Sequence, residues 1–410
     1  MTTRSPVVPR QRRPADELAE VVYLDHAATT PLCPEALEQM RRGLRLYGNP
    51  SSRHTVGQAS RDALDAARGD VATLSGCTPA EVVFTGGGSE AISMALRGTF
   101  APLRWRGHLI TTAIEHSAVL ESAAALRRRG VEVTVVAPEP SGHVNPVNIA
   151  AAMRPDTVLV SVMHANNETG AIQPVQEITE LVHAAGKLMH IDAVQTAGKL
   201  PIDGLAADMV SISAHKFGGP KGVGALRLAA HHSLEPLVCG GGQEAGRRAG
   251  TENLAGVLGM AAAAIAALPR VADPAYRWRR WQLRARLLEQ LSVLGGVEVN
   301  AADPVMAETI SVSFAGVRGD TVADVLDMHG ICVSTGSACH AGQDSPSHVL
   351  TAMGVSDERA RAALRFSFGP ATTADDIDTA AEATVAAVEQ LRRVSGGTSM
   401  VPSHGAVRAG

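Results

Sequence analysis

Residues 157–191 read TVLVSVMHANNETGAIQPVQEITELVHAAGKLMHI. An apolar, β-branched run over 157–163 opens this segment and a second apolar run over 187–191 closes it, and both are typical of buried strands. Between them, residues 174–185 repeat apolar side chains at helical spacing, with a proline at an allowed helix start and a glycine as the stop signal. A strand, a helix and a strand in this order predict a βαβ unit, in which the two strands pair in parallel.

The same alternation continues outward along the chain. Further strands are predicted over 81–85, 108–112, 131–136 and 208–213. β-branched runs separated by helical patterns predict a parallel sheet covered by helices on both faces. After about residue 252 the pattern changes to two Ala/Leu/Arg-rich helical stretches, two separated strands and a final amphipathic helix. These elements are expected over 252–268, 276–294, 309–314, 362–367 and 373–393.

This change of pattern divides the chain into four predicted parts. Residues 1–20 are rich in Pro and Arg and are expected to be disordered, as is the small and polar tail over 396–410. Residues 21–265 are expected to form a large α/β domain and residues 266–395 a smaller α+β domain. The long helix near 276–294 is expected to connect the two.

Composition excludes several classes of protein. The chain has 410 residues, of which 45% are hydrophobic, 19% charged and 3% aromatic, and its formal net charge is −4. Such a chain lacks the basic surface and the stacking side chains of a nucleic-acid-binding protein. Our reading of the sequence finds no apolar stretch of the roughly 18–20 residues needed to cross a bilayer, and no signal peptide. We therefore expect neither nucleic acid nor membrane as a partner.

The cysteines indicate a reducing compartment. Cys33, Cys77, Cys239, Cys332 and Cys339 are odd in number, scattered and without CxxC spacing. This pattern argues against a disulfide framework and against a structural zinc site. We expect a cytoplasmic protein that binds no metal.

A glycine-rich turn, Thr85 to Glu90 (TGGGSE), follows an apolar strand and precedes a helical pattern. Glycines allow the backbone to approach an anion closely, and the free N–H groups at a helix start attract a phosphate. The alternative is an ordinary strand-to-helix turn capped by Ser89. The turn is neither a Walker loop nor a GxGxxG fingerprint.

Asp192 lies at the carboxyl end of the strand over 187–191, where open α/β sheets place their ligands. A carboxylate there can pair with a protonated ring nitrogen, although a helix-capping role is an equally good interpretation. His190 and Asp192 point to the same face of a strand and could share a metal ion. No third ligand with suitable spacing accompanies them.

Lys216 leaves the buried strand over 208–213 between Ser213, His215 and a run of glycines. Most lysines are solvated surface charges, but burial lowers the pKa of an amine, and such a lysine can form a Schiff base with a carbonyl. A phosphate-type turn, an acid at a strand end and this lysine together form a binding site for pyridoxal phosphate. The pyridine nitrogen of that cofactor needs an acid, and its aldehyde needs a lysine.

Cys339 differs from the other cysteines in its surroundings. It lies in STGSACHAG over 334–342, a run of small and polar residues that predicts an exposed, mobile loop. An accessible thiol on such a loop fits a nucleophile that must travel, whereas the other four cysteines are expected to be structural.

With these residues in view, the chain resembles the NifS/IscS-like cysteine desulfurases of the class V aminotransferase family over Tyr23 to about Val394. The resemblance rests on ten motifs that occur in the family's order. They are YLDHAATTP (23–31), GNPSSRHTVG (48–57), TGGGSEA (85–91), AIEHSAVL (113–120), HANNETG (164–170), HIDAVQTAGK (190–199), SISAHKFGGPKG (211–222), GGGQEAGRRAGTEN (240–253), STGSACHAG (334–342) and LRFSFG (364–369).

The resemblance implies a pyridoxal-phosphate-dependent fold type I enzyme, with a mostly parallel seven-stranded sheet in the large domain. Lys216 would carry the cofactor, Asp192 would hold its ring nitrogen and Gln195 its phenolic oxygen. His116 would stack on the ring and take part in proton transfer. The phosphate would be bound by Gly88, Ser89, Ser213 and His215, joined by Thr251 of the partner subunit in a homodimer.

For the reaction, the resemblance implies removal of sulfur from L-cysteine to give L-alanine and a persulfide. Asn167 and Arg365 would bind the substrate carboxylate, with Asn167 also near the cofactor, and Cys339 would accept the sulfur. The small domain would carry the loop of this cysteine. The sulfur would pass to an acceptor protein, either an iron–sulfur scaffold or a tRNA thiolation enzyme.

Two alternatives stay open at this point. His340 directly after Cys339 resembles selenocysteine lyases, which use the same cofactor. An aminotransferase or lyase of the same fold without persulfide chemistry is the other, and it would have no use for an exposed thiol. Gly88 and Ser89 replace the Ala-Thr pair more usual in the family, and we expect little change because both pairs supply N–H groups and a hydroxyl.

Overall fold

The computed structural model describes residues 21–336 and 345–394. Within these ranges the strands are β1 (Val22–Tyr23), β2 (Val82–Thr85), β3 (His108–Thr112), β4 (Glu132–Val136), β5 (Thr157–Met163), β6 (Leu188–Asp192), β7 (Met209–Ser213), β8 (Gly224–Leu228), β9 (Val297–Val299), β10 (Thr309–Phe314), β11 (Ile331–Cys332) and β12 (Ala363–Ser367).

The helices of the same ranges are α1 (Pro34–Arg45), α2 (Thr55–Ser75), α3 (Gly88–Phe100), α4 (Ser117–Arg129), α5 (Pro146–Ala152), α6 (Val175–Ala184), α7 (Leu254–Ala272), α8 (Pro274–Leu291), α9 (Gly319–Met328), α10 (His348–Ala352), α11 (Asp357–Arg361) and α12 (Ala374–Val394). Short 3₁₀ turns occur at Pro79–Glu81, Ala214–Lys216 and Gln243–Gly246.

The central sheet has seven strands in the order β2-β8-β7-β6-β5-β3-β4. Neighbours pair in parallel from β7 to β4, whereas β8 runs antiparallel to both β7 and β2. The mostly parallel seven-stranded sheet that the resemblance implies is therefore confirmed. Its register places Asp192 beside Met163 of β5 and Ser211 of β7. The carboxyl ends of these three strands thus lie together at one edge.

Both faces of the central sheet are covered, as the apolar runs of the sequence predict. Alternate residues of β3 show this, because Leu109 belongs to the core beneath α3 and α4 while Ile110 belongs to the core beneath α1, α2, α6 and α7. Both side chains are fully buried. A continuous apolar strand is stable only in such a three-layer arrangement, because each of its faces must be removed from water.

Strand β8 is absent from the sequence prediction. Its sequence, GALRL, contains a glycine and Arg227, which argue against a central strand. Arg227 is nevertheless buried, and its guanidinium donates to the backbone carbonyls of Ser75, Leu205 and Ala207. The buried charge therefore serves to cap three carbonyl groups outside the sheet, a role that only the folded chain makes visible.

A second core lies around the antiparallel sheet β12-β10-β9 and includes side chains of α8, α9 and α12. Leu24 is also fully buried in this core, because β1 pairs in parallel with β11. Residues at the start of the described chain thus pack with elements from its last third. The domain boundary near residue 266 stays a prediction.

Helix α7 corrects one expectation. By length and composition Leu254–Ala272 could cross a membrane, although our reading of the sequence found no such stretch. Most of the helix is buried, since it packs against α1 and α2. This packing is that of a core helix, which passes the same test of apolarity as a membrane span.

Candidate active site

A cavity of about 330 Å³ opens at the sheet edge where β5, β6 and β7 end. It brings together ten of the residues that the sequence analysis assigned to a site. These are Gly88, Ser89, His116, Asn167, Asp192, Gln195, Ser213, His215, Lys216 and Arg365. The remaining wall contains backbone and apolar groups from Ala27, Ala28, Ile92, Met163, Ala165, Val194 and Gly336.

Asp192 is the last residue of β6, and its side chain is buried. Its Oδ1 accepts a hydrogen bond of 2.9 Å from the backbone N–H of Val194. Burial raises the pKa of Asp192 to about 6, although this N–H and the charge of Lys216 act in the opposite direction. Because the site is buried and its dielectric constant is low, a cation beside this carboxylate would be attracted more strongly than in water.

His190 does not share a metal with Asp192. Its Nδ1 lies 2.8 Å from Ser161 Oγ and its Nε2 lies 2.8 Å from Ser211 Oγ. Both ring nitrogens are thus occupied, and burial lowers the pKa of His190 to about 3. It is a neutral core histidine that links β5, β6 and β7.

Lys216 ends the 3₁₀ turn that follows β7 and is half-buried. Its Nζ donates to the backbone carbonyls of Ala27 at 2.6 Å and Ala28 at 2.9 Å. The segment after β1 thereby holds the amine at the floor of the cavity. An amine held in this way is positioned to react with the carbonyl group of a ligand bound in the cavity.

His116 is the N-cap residue of α4, and its Nδ1 accepts a hydrogen bond of 3.1 Å from the N–H of Ala118. Burial lowers the pKa of His116 to about 4, and the positive charges of Lys216 and His348 act in the same direction. The imidazole is therefore neutral at neutral pH. Because Nδ1 accepts, the ring proton lies on Nε2.

The glycine-rich turn leads directly into α3, which begins at Gly88 with Gly87 as its N-cap. Ser89 is the second residue of the helix and is exposed, so the interpretation of Ser89 as the cap is wrong. Glu90 fixes the turn, because its Oε2 accepts from Gly86 N–H at 2.7 Å and its Oε1 pairs with Arg248 at 2.9 Å. The free N–H groups of the helix start lie at the cavity.

Ser213 and His215 lie at the end of β7 and in the turn that follows it. Ser213 is next to the start of α3, because a Cβ added to Gly88 would lie 3.3 Å from Ser213 Cβ. His215 Nδ1 is 3.1 Å from Thr29 Oγ1. Burial, reinforced by Lys216, lowers the pKa of His215 to about 4. This end of the cavity thus offers a hydroxyl, a neutral imidazole and the start of a 13-residue helix, a set of donors that suits a phosphate.

Arg365 reaches the cavity from β12 of the second sheet. Its Nη2 pairs with Asp25 Oδ1 at 2.7 Å, and its Nη1 donates to the backbone carbonyl of Asn167 at 2.9 Å. Its buried Nε has no hydrogen-bond partner among the residues that the structure describes. Each terminal nitrogen carries a second N–H, so the guanidinium retains donors for an acceptor in the cavity that Arg365 lines.

Two assigned residues do not join this set. Thr251 is exposed and does not line the cavity. Cys339, with His340, lies outside the described residues. Gly336, three positions before Cys339, does line the cavity.

Three contributors to the site are not predicted by the sequence. Asp25 pairs with Arg365, the backbone carbonyl of Ala27 accepts from Lys216, and Lys199 donates to Gln195. The motif YLDHAATTP, which contains Asp25 and Ala27, was a family marker to which no chemistry was assigned. Its partners are more than 180 positions away in the chain, so spacing alone gave no signal.

Comparisons with known proteins show the family of the chain. The family model described as aminotransferase class-V matches residues 22–379. Cysteine desulfurase IscS of Dictyoglomus turgidum is 41% identical over 383 residues, covering 91% of this chain and 96% of that protein. A solved NifS-like protein has a TM-score of 0.83 at 36% identity, covering 91% of this chain and 100% of the other.

A second solved structure, SspA in complex with cysteine, has a TM-score of 0.76 at 35% identity, covering 86% of this chain and 99% of the other. Both the family match and the similarity to IscS extend over most of the chain. The chain belongs to the class V aminotransferase family and, within it, to the cysteine desulfurases.

Proposed function

We propose that the cavity binds pyridoxal 5′-phosphate and that the protein removes sulfur from L-cysteine, giving L-alanine and a persulfide on Cys339. One observation carries the proposal: Lys216, Asp192 and Arg365 line the same cavity. A lysine for the cofactor aldehyde, an acid for its ring nitrogen and a guanidinium for a carboxylate are what this chemistry requires. The similarity to SspA in complex with cysteine supports cysteine as the substrate.

The polar groups of the cavity fit the cofactor at both ends. Asp192, buried at the end of β6, would hold the ring nitrogen, and Gln195 would lie beside the phenolic oxygen. Ser213, His215 and the N-terminus of α3 would hold the phosphate. When bound, pyridoxal phosphate supplies an electron sink that weakens the bonds at the α-carbon of an amino acid.

Lys216 and His116 would move the protons. Lys216 Nζ is held by two carbonyl groups, and its amine would take a proton from the α-carbon and return it. His116 is neutral at neutral pH and presents an Nε2–H, because its Nδ1 accepts from Ala118. It would stack on the ring and donate a proton to the substrate.

Arg365 would bind the substrate carboxylate. Each of its two terminal nitrogens keeps a second N–H beyond the bonds to Asn167 and Asp25, and a carboxylate is the acceptor that matches such paired donors. Asn167 lines the same wall.

The sulfur transfer is a displacement on the substrate thiol. The Cys339 thiolate attacks the substrate sulfur, so an S–S bond forms while the bond from the β-carbon to sulfur breaks. The electron pair of the broken bond stays on carbon, which takes a proton and becomes the methyl group of alanine. Cys339 lies three positions after Gly336, a residue that lines the cavity.

The proposal also covers the oligomeric state, the cellular compartment and the acceptor of the sulfur. We infer a homodimer in which Thr251 of each subunit serves the other, since Thr251 is exposed and outside its own cavity. Within the described residues, no disulfide joins Cys33, Cys77 or Cys239, which supports a reducing cytoplasm. The persulfide sulfur would pass to an iron–sulfur scaffold or a tRNA thiolation enzyme.

The proposal is tested by the alanine that the protein releases from L-cysteine. We expect Cys339→Ala to lose at least 10²-fold in turnover, since the group that accepts sulfur is removed. The matched control is Cys239→Ala, an exposed free cysteine outside the cavity, which should retain wild-type turnover. Equal alanine release by wild type and Cys339→Ala would contradict persulfide formation and favour an aminotransferase or lyase.

A further inference from the structure

A lysine that the mechanism above does not use lies directly behind the active site. Lys199 lines a second cavity, of about 320 Å³, together with His26 and Glu308. Lys216 lines both this cavity and the one that would hold the cofactor. The two cavities therefore share Lys216, and Lys199 lines the one that lies outside the proposed cofactor site.

A chain of hydrogen bonds connects the two lysines. Lys199 Nζ donates to Gln195 Oε1 at 3.5 Å, and Gln195 Nε2 donates to the backbone carbonyl of Ala27 at 3.0 Å. The same carbonyl accepts from Lys216 Nζ at 2.6 Å. Gln195 is buried, so solvent does not compete for its amide.

These contacts determine which neighbour of Gln195 faces its amide oxygen and which faces its amide nitrogen. An ammonium group is only a donor and must face the amide oxygen, whereas a backbone carbonyl is only an acceptor and must face the amide nitrogen. The second hydrogen of Nε2 then remains for an acceptor in the active-site cavity. Without the Lys199 charge, the Ala27 carbonyl would be the one hydrogen-bond partner within residues 21–336 and 345–394 that opposes rotation of the amide.

Other charged and titratable groups surround Lys199. Glu308 favours its positive charge and Arg365 opposes it, while Lys199 in turn lowers the pKa of His26 and of His215. Burial lowers the pKa of Lys199 itself to about 8, so the ammonium form predominates at neutral pH. The charge next to Gln195 is therefore present under the conditions in which the enzyme works.

We propose that Lys199 is a positioning residue, which holds the Gln195 amide so that an N–H faces the phenolic oxygen of the cofactor. The inference rests on the proposed function, because it requires that cofactor. A hydrogen-bond donor to the phenolic oxygen stabilises the anionic form of that oxygen. The oxygen then accepts less strongly from the proton on the lysine–cofactor linkage, so the pH at which the linkage loses this proton is lowered. Loss of Lys199 should raise that pH.

The test is a spectrophotometric pH titration of the cofactor-loaded protein. Lys199→Met should raise the midpoint of the visible absorbance change by roughly half a unit to one unit. Lys199→Arg keeps the charge and should retain the wild-type midpoint. In a Gln195→Ala background, Lys199→Met should shift the midpoint by much less, because the effect passes through the amide.

Two outcomes overturn the inference: an unchanged midpoint in Lys199→Met, or the same shift with and without Gln195, which would indicate a direct effect of charge. Melting of the cofactor-free proteins checks that each variant folds, and Lys199→Gln replaces Lys199→Met if the latter does not. Failure of the proposed function looks different, since the wild type itself would then develop no visible band with pyridoxal phosphate.

Discussion

At the scale of single residues, burial is the main influence on the chemistry of the site. It raises the pKa of Asp192 to about 6 and lowers that of His116 to about 4. Both shifts favour the neutral form, because a low-dielectric interior penalises charge. A cationic partner for Asp192 therefore gains an interaction that water would largely screen, and His116 stays uncharged beside Lys216.

Glu115 gives a prediction at this scale. It is fully buried, its Oε1 accepts from Thr112 and Met163, and its Oε2 has no partner within the described chain. Burial raises the pKa of Glu115 from 4.5 to about 8. The folded protein thus binds a proton that the unfolded chain releases, and the resulting stability is lost as pH rises from about 4.5 to 8.

Glu115→Gln should therefore reduce the fall in melting temperature between pH 5 and pH 8, since an amide does not ionise. Thermal unfolding of both proteins across this range measures the difference in slope. An identical pH dependence in wild type and Glu115→Gln would show that the Glu115 carboxyl does not titrate in this window.

The sequence predicted the residues of the site whose chemistry is visible in their neighbours along the chain. Lys216 and Asp192 follow apolar strands, and a strand end is where a parallel sheet places ligands. Lys199 could not be predicted in this way. Its importance depends on the Ala27 carbonyl, which only folding brings beside Gln195, the residue four positions before Lys199.

At the scale of elements, a buried ion pair attaches the segment 240–250 to the central sheet. Glu244 accepts from both terminal nitrogens of Arg68 in α2, at 2.6 and 2.8 Å, and from the N–H of Phe84 in β2 at 2.9 Å. Glu244 is buried and adopts a positive φ of 48°. The contacts of one carboxylate thus hold this segment, which leads to Thr251.

Glu244→Ala should destabilise the protein by about 3 kcal/mol, because it removes the carboxylate from the Arg68 charge, whose side chain is 14% exposed, and the acceptor from the buried Phe84 N–H. The matched control is Glu132→Ala, which removes an exposed carboxylate that pairs with Arg154 and should cost less than about 1 kcal/mol. Denaturant unfolding compares the two. Equal losses of stability would mean that burial adds nothing to the Glu244 pair.

Periodicity predicted elements whose side chains follow a clear apolar pattern. The strands over 157–163 and 309–314 were predicted at their observed bounds. The two-residue strands β1 and β11 are too short to show a period. They form because the segment at 22–23 pairs with the segment at 331–332, about 310 positions later in the chain. Long-range pairing of this kind has no local signal.

At the scale of the whole molecule, the site lies where the two cores meet. Asp192, Lys216 and His116 belong to the central sheet and its helices, whereas Arg365 extends from the second sheet. The Arg365–Asp25 pair of 2.7 Å joins β12 to the segment after β1. Substrate recognition and cofactor chemistry would thus come from different sheets.

The most direct test of the proposed reaction is the intact mass of the cofactor-loaded protein after incubation with L-cysteine. We predict a gain of one sulfur atom, located on Cys339 by peptide mapping, with one alanine released for each sulfur bound. Alanine release without any sulfur on Cys339, or sulfur on a different cysteine, would contradict the account.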